Sequence, residues 1–174
     1  MTPDETRTRQ ARQIVDANQY MVLGTAAVSG EPWASPVWFA HADYREFVWI
    51  SSPDARHSHN IAERPQVGIV IFDSRVPIGA GQGVYLSCEA TVASDRDLDR
   101  LIDVFNRRSS AGGGKLLARS AVEGPSGEFR LYRAVASDAS MLAKDGDADH
   151  RVSVQLSGLS STSPSTASDD TWAS

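Results

Sequence analysis

The sequence predicts a mainly β protein, a closed or nearly closed antiparallel β-barrel with flanking helices. Three observations lead there. Most apolar residues fall in short runs rich in Val, Ile, Phe and Trp, at strand length rather than helix length. Turn-forming clusters such as Ser29-Gly30-Glu31-Pro32 separate those runs at hairpin spacing. Few segments carry a helical period, and many strands joined by hairpins hide their edges best by closing on themselves.

The elements follow in order. Thr2, Pro3 and Glu5 form an N-cap, first helical position and capping box, which starts a helix running to about Asn18. Its apolar residues are few (Ala11, Ile14, Val15), so it lies on a surface with one shallow face down. Residues 20–28 and 33–40 read as a hairpin, and 47–51 as a third strand after a turn at 41–45. Ser52 is the expected N-cap of a helix that begins at Pro53 and ends before Pro65, with Asp54 at its positive end. The strand at 66–73 is apolar on both faces and reads as central and buried. A glycine-rich loop, VPIGAGQG at 76–83, leads to a strand at 84–93. Ser94, Asp95 and Asp97 start a helix whose Leu98, Leu101, Ile102 and Phe105 share one face to about residue 107. A loop at 107–114, a short helix at 115–121 and strands at 128–137 and 151–156 complete the folded part. Residues 157–174 are Ser/Thr-rich, with too little apolar surface to offset their ordering entropy, and read as a disordered tail.

Composition narrows the function. Of 174 residues 41% are hydrophobic and 22% charged, which suits one globular domain. The net charge of -5 lacks the broad positive field of a nucleic-acid binder, so no nucleic-acid partner is expected. A small anionic ligand remains compatible, because local charge can oppose net charge. Cys88 is the sole cysteine, which excludes an intramolecular disulfide and every cysteine-based zinc site. MTPDETRTRQARQ has no secretory apolar stretch, and no run reaches membrane-span length. A cytoplasmic protein without a membrane partner is the expectation.

Three segments could carry chemistry. Ser51 to Ser58 joins a strand to a helix start, where unpaired N–H groups, two hydroxyls and the Arg56 guanidinium suit a phosphate, with His57 as a further donor if protonated. The same pattern fits a capped surface helix with a solvated Arg. Gly79 to Gly83 could let backbone approach a ligand or serve as a flexible connection; Val84 stands where a dinucleotide fingerprint needs glycine. On the second strand, Pro36 marks an edge or irregular point and Trp38 could stack on a planar heterocycle, or Trp38 and Phe39 could simply fill the core. Other motifs fail. Gly112-Gly113-Gly114-Lys115 lacks the opening glycine and the Ser/Thr of a P-loop. Asp145 to Asp149 lacks the glycine and final Glu of a calcium loop and reads as a solvated hairpin turn. His57 and His59 splay apart on a helix, so no metal site is expected.

Together these segments resemble the pyridoxamine 5'-phosphate oxidase-like, FMN-binding split-barrel family. The resemblance rests on LGTAAVSGEPWASPVWF at 23–39, FVWISSPDARHSHNIAERPQVGIVIFD at 47–73, GQGVYLSCEATV at 81–92 and LYRAVASD at 131–138. It spans roughly Tyr20 to Leu156 and implies a six-stranded antiparallel split barrel over residues 1–156, with 157–174 as tail. It further implies a homodimer with FMN at the interface. Ser35, Pro36, Val37 and Trp38 would line the isoalloxazine, and Ser51 and Ser52 the ribityl–phosphate end. Arg56 and His57 fall on the family's basic phosphate ligands, Asn60 on its helix asparagine, and Gln82 would approach the flavin from the partner subunit. Two positions depart: the family commonly has Lys where His57 stands and Ser where Ala55 stands. A neutral imidazole is the weaker phosphate partner, which leaves FMN affinity and cofactor identity open.

The resulting expectation is an FMN-dependent oxidoreductase acting on a small organic substrate, with no catalytic side chain assigned. A deazaflavin-dependent reductase is the alternative enzyme, with Arg64, Arg75 and Arg107 available for a longer anionic tail. A non-catalytic flavin or haem module is the alternative class, with His41 or His57 as the haem ligand.

Overall fold

The computed structural model describes residues 2–124, 128–144 and 150–157, so the expected turn at 145–149 and the tail from 158 lie outside the described residues. The first helix, α1 (Pro3–Ala17), has the capping box: Glu5 N–H donates to Thr2 Oγ1 at 3.2 Å and Thr2 N–H to Glu5 Oε2 at 2.7 Å. Its shallow face buries Ala11 and Val15 completely.

The strands are β1 (Tyr20–Ala26), β2 (Pro32–Trp38), β3 (Ala40–Ala42), β4 (Glu46–Ser51), β5 (Gln66–Phe72), β6 (Gly83–Val92), β7 (Arg130–Leu142) and β8 (Arg151–Ser153). They form one sheet in the order β2-β1-β5-β6-β7-β4-β3, with β8 paired to β7 and every pairing antiparallel. The sheet curls until β2 meets β4, so six strands surround the barrel and the β2–β4 seam is its split. β3 and β8 lie outside that circuit. Pro36, opposite Val22, is tolerated because β2 is an edge strand with a ladder on one side only.

Two apolar layers hold the barrel. Its interior packs Met21, Leu23, Phe39, Phe47, Trp49, Ile69, Ile71 and Leu86 beneath α1. Outside, α3 (Asp95–Ala111) lays Leu98, Leu101, Ile102 and Phe105 over Ala40, Val48 and Leu131.

Several boundaries differ from expectation for local reasons. Helix α2 (Arg56–Glu63) starts at Arg56 rather than Pro53, with Ala55 as N-cap. The Ser52 hydroxyl instead accepts from Asp54 N–H at 3.2 Å, which makes a turn of Pro53 and Asp54 before the helix begins. The expected turn at 41–45 overlaps β3, and its tip places Asp43 and Tyr44 at φ 52° and 55°. Helix α3 runs past 107 to Ala111, and the expected helix at 115–121 is a single 3-10 turn at Arg119–Ala121. β7 runs past 137 to Leu142 because its far half pairs with both β6 and β8. β8 ends at Ser153, where Val154 and Leu156 turn into the core. β5 is central but buries one face only: Val67, Ile69 and Ile71 point inward, while Phe72 stays 46% exposed.

Candidate functional site

The seam between β2 and β4 opens into a cleft of about 580 Å³. Pro36, Val37 and Trp38 form one wall and Ile50 and Ser51 the other. α2 contributes His57, and α3 with its following loop contributes Phe105, Ser109, Lys115, Leu116 and Leu117. Trp38 meets Phe105 edge-on at 4.8 Å, so it belongs to the packing under α3 and to the cleft wall at once.

His57 is the polar centre of this seam. Its Nε2 lies 2.6 Å from Ser51 Oγ and its Nδ1 3.1 Å from Ser35 Oγ. The bonds therefore tie α2 to both barrel walls. Burial holds the His57 pKa below the ordinary 6.5, so at neutral pH the ring is uncharged. One ring nitrogen then carries a proton and donates, while the other accepts from a hydroxyl. The residue expected as a further donor if protonated is thus a neutral ring bonded to two serines.

The other expected site residues sit elsewhere in this chain. Ser52 is spent on the turn before α2, and its carbonyl accepts from Ser58 Oγ at 2.7 Å. Arg56 pairs with Glu31 at 2.7 Å and lies over the Trp33 ring at 4.4 Å, at the far end of β2 from Trp38. Asn60 is buried and donates to Thr25 Oγ1 at 3.0 Å, pinning α2 to β1. Gln82 donates from Nε2 to the Leu142 carbonyl at 3.3 Å, while its buried Oε1 accepts no hydrogen bond. It lines a separate pocket of about 200 Å³ with Arg7, Gln10 and Lys144. Of the further arginines considered for a longer ligand, Arg64 donates to the Ala27 carbonyl, Arg75 pairs with Asp73, and Arg107 lines another cleft on α3. His41 is bonded to Asp16 through Nε2, and its Nδ1 accepts from Tyr44 N–H.

Sequence reasoning missed the α3 side of the cleft. Phe105 was legible as packing, but its second role depends on Trp38 lying beneath it. Lys115 had a signal in Gly112-Gly113-Gly114-Lys115, which fails as a P-loop yet still delivers a lysine to a cleft.

The family described as pyridoxamine 5'-phosphate oxidase matches residues 8–142. No curated protein matches significantly. A haem-binding protein from Mycobacterium smegmatis superposes with a TM-score of 0.65 at 19% identity, over 84% of this chain and 57% of that one. This chain therefore spans little more than half of that protein's length. HutZ, the haem storage protein from Vibrio cholerae, gives 0.54 at 21% identity over 78% and 89% of the two chains. A pyridoxinephosphate oxidase family protein from Clostridium acetobutylicum gives 0.59 at 12% identity over 87% and 96%. At such identities the structural likeness concerns the fold.

Proposed function

The chain belongs to the pyridoxamine 5'-phosphate oxidase family, and from that premise we propose that it is an FMN-dependent oxidoreductase acting on a small organic substrate as a homodimer. The observation that carries the reading is the lining of the seam cleft. Val37, Trp38, Ile50, Phe105 and Leu117 offer apolar surface for a tricyclic ring, while Ser51 and His57 offer hydrogen bonds to its polar substituents. Ligand pockets of this size combine those two ingredients. FMN, when bound, supplies the hydride or electron transfer. The chain's own part is to hold and orient: the Ser35–His57–Ser51 bonds fix the hydroxyl directions, and the loop after α3 lines one side of the cleft. No side chain is assigned as acid or base.

A second copy suits the outer face of the sheet. Val22, Val70 and Tyr85 form one row across β1, β5 and β6, beside Tyr20 at 59% and Phe72 at 46% exposure. Covering them is the gain expected from dimerisation. Gln82 of the partner subunit would have to leave the Leu142 carbonyl and turn its buried Oε1 outward to approach the flavin.

Purified protein should release a yellow, fluorescent compound of FMN mass on denaturation, and the stripped protein should rebind FMN. The reading fails if neither a flavin nor a deazaflavin is released and neither binds on titration. A deazaflavin that outcompetes FMN would move the assignment to the alternative coenzyme. Bound flavin that no nicotinamide donor reduces would leave a carrier rather than an enzyme.

Two structural relatives are a haem-binding protein and a haem storage protein, which motivates a second reading. An imidazole nitrogen is one common ligand of haem iron, and His57 is the histidine at the cleft. Both of its nitrogens are committed to serines, so one of the two bonds would have to break. A Soret band lost in His57→Ala would favour haem; one that persists would exclude His57 as its ligand.

A further inference from the structure

The cleft needs a cation if its ligand carries a phosphate, and the α2 start does not furnish one there. His57 is neutral, and Arg56 is engaged by Glu31 and Trp33. The other basic residue on the lining is Lys115. Its side chain forms no ion pair or hydrogen bond among the described residues.

The loop that carries Lys115 is built rather than loose. Asn106 clasps Leu117 from both sides, donating from Nδ2 to its carbonyl at 3.1 Å and accepting its N–H on Oδ1 at 2.7 Å. Ser109 Oγ donates to the Lys115 carbonyl at 2.8 Å, and Gly114 N–H donates back to the Ser109 carbonyl at 2.8 Å. A Cβ on Gly114 would lie 2.5 Å from Ser109 Oγ, so this approach of loop to helix requires glycine. Two side chains on successive turns of α3 thus fix the backbone on both sides of Leu116. The polar anchoring stops at the backbone and leaves the side chains of Lys115 and the 67% exposed Leu116, both on the cleft lining, without a hydrogen bond or ion pair among the described residues.

We infer that Lys115 is the residue that recognises the phosphate of the bound flavin, so that the cation of this site comes from the loop after α3 and not from the start of α2. The inference rests on the proposal that FMN occupies the cleft. A lysine acts here as a mobile point charge, which suits a dianion approached from the solvent side. Leu116 beside it presents an exposed apolar side chain on the same lining.

The test compares FMN with riboflavin, which has the same ring and no phosphate. Full-length wild type, Lys115→Met and Lys115→Arg are titrated with each by fluorescence quenching, after melting curves confirm that all are folded. The expected result is a roughly ten- to hundred-fold loss of FMN affinity in Lys115→Met, with riboflavin affinity unchanged, because a charge-assisted contact is lost. Lys115→Arg should recover most of that loss. The inference is overturned if Lys115→Met keeps FMN affinity within about threefold of wild type, or if FMN and riboflavin weaken together. Wild type that binds neither flavin sinks the proposed function and this inference with it; wild type that binds while Lys115→Met is unaffected sinks the inference alone.

Discussion

The start of α2 and the end of α3 face the same barrel seam, and they spend their polar residues in opposite ways. At the start of α2, nearly every polar group is consumed by the fold: Ser52 in a turn, His57 between two serines, Arg56 on Glu31 and Asn60 on Thr25. At the end of α3, Asn106 and Ser109 are equally consumed, but by backbone, and the lysine they position is left over. A residue type that suits a ligand is therefore a weak sign when the fold offers it a partner first. The surplus group identifies the site better than the favourable one.

The sharpest way to break this contrast is Asn60→Ala. The change leaves buried Thr25 without its donor, and an unsatisfied buried group costs about 1–3 kcal/mol. The melting temperature should fall clearly while FMN affinity of the folded fraction stays put. Retained stability with weakened FMN binding would make Asn60 a ligand residue after all.

Acidification should work on the same corner. Burial lowers the pKa of both His57 and His41 below 6.5, so the unfolded chain takes up protons that the folded chain resists. Stability is then fully present above pH 6.5 and declines as pH falls from there towards the lowered folded values. Urea unfolding at a series of pH values should show that slope, and His57→Gln should flatten part of it. Stability that rises on acidification across this window would contradict the neutral Ser35–His57–Ser51 chain.

On the α3 side, Gly114→Ala should shift the Lys115 backbone away from Ser109. FMN affinity should fall several-fold, with riboflavin affinity and the melting temperature changing little, because the loop is exposed and the displaced contact is local. A large loss of stability instead would show that the loop serves the core.

How much of this was legible in the sequence follows the same division. The capping box of α1 and the apolar stripe of α3 are decided by neighbours in sequence and appear as expected, and of the edge or irregular point that Pro36 marks the fold supplies the edge. The onset of α2 was misplaced because Ser52 had two uses for its hydroxyl, a helix cap or a turn, and composition cannot rank them. Residues 36–38 and the Ser51–His57 segment stand out in the sequence as separate candidates, and it is the fold that brings them to one cleft. Lys115 was not readable there, since its place depends on α3 continuing to Ala111 and on Gly114 closing against Ser109. Likewise Val70 and Phe72 read as core, although the curl of the sheet turns them outward.

The smallest expected effect tests the contrast most directly. Arg56→Ala removes the cation that sequence spacing makes the natural phosphate ligand. In the structure its side chain is 41% exposed and its partner Glu31 62%, so their pair contributes at most about 1 kcal/mol. Its place over Trp33 at 4.4 Å adds about 0.5–1 kcal/mol at such an exposed site. The melting temperature should therefore shift slightly. FMN affinity should stay within about twofold of wild type, against the ten- to hundred-fold loss expected for Lys115→Met. Glu31→Gln supplies the complementary arm. It releases the guanidinium without deleting it, and if Arg56 were a phosphate ligand held back by its carboxylate, FMN would bind more tightly to this variant. Unchanged affinity in both variants, measured against riboflavin, places the charge of the site on the α3 loop. Loss in Arg56→Ala together with gain in Glu31→Gln would return it to the start of α2, with Glu31 as a competing anion.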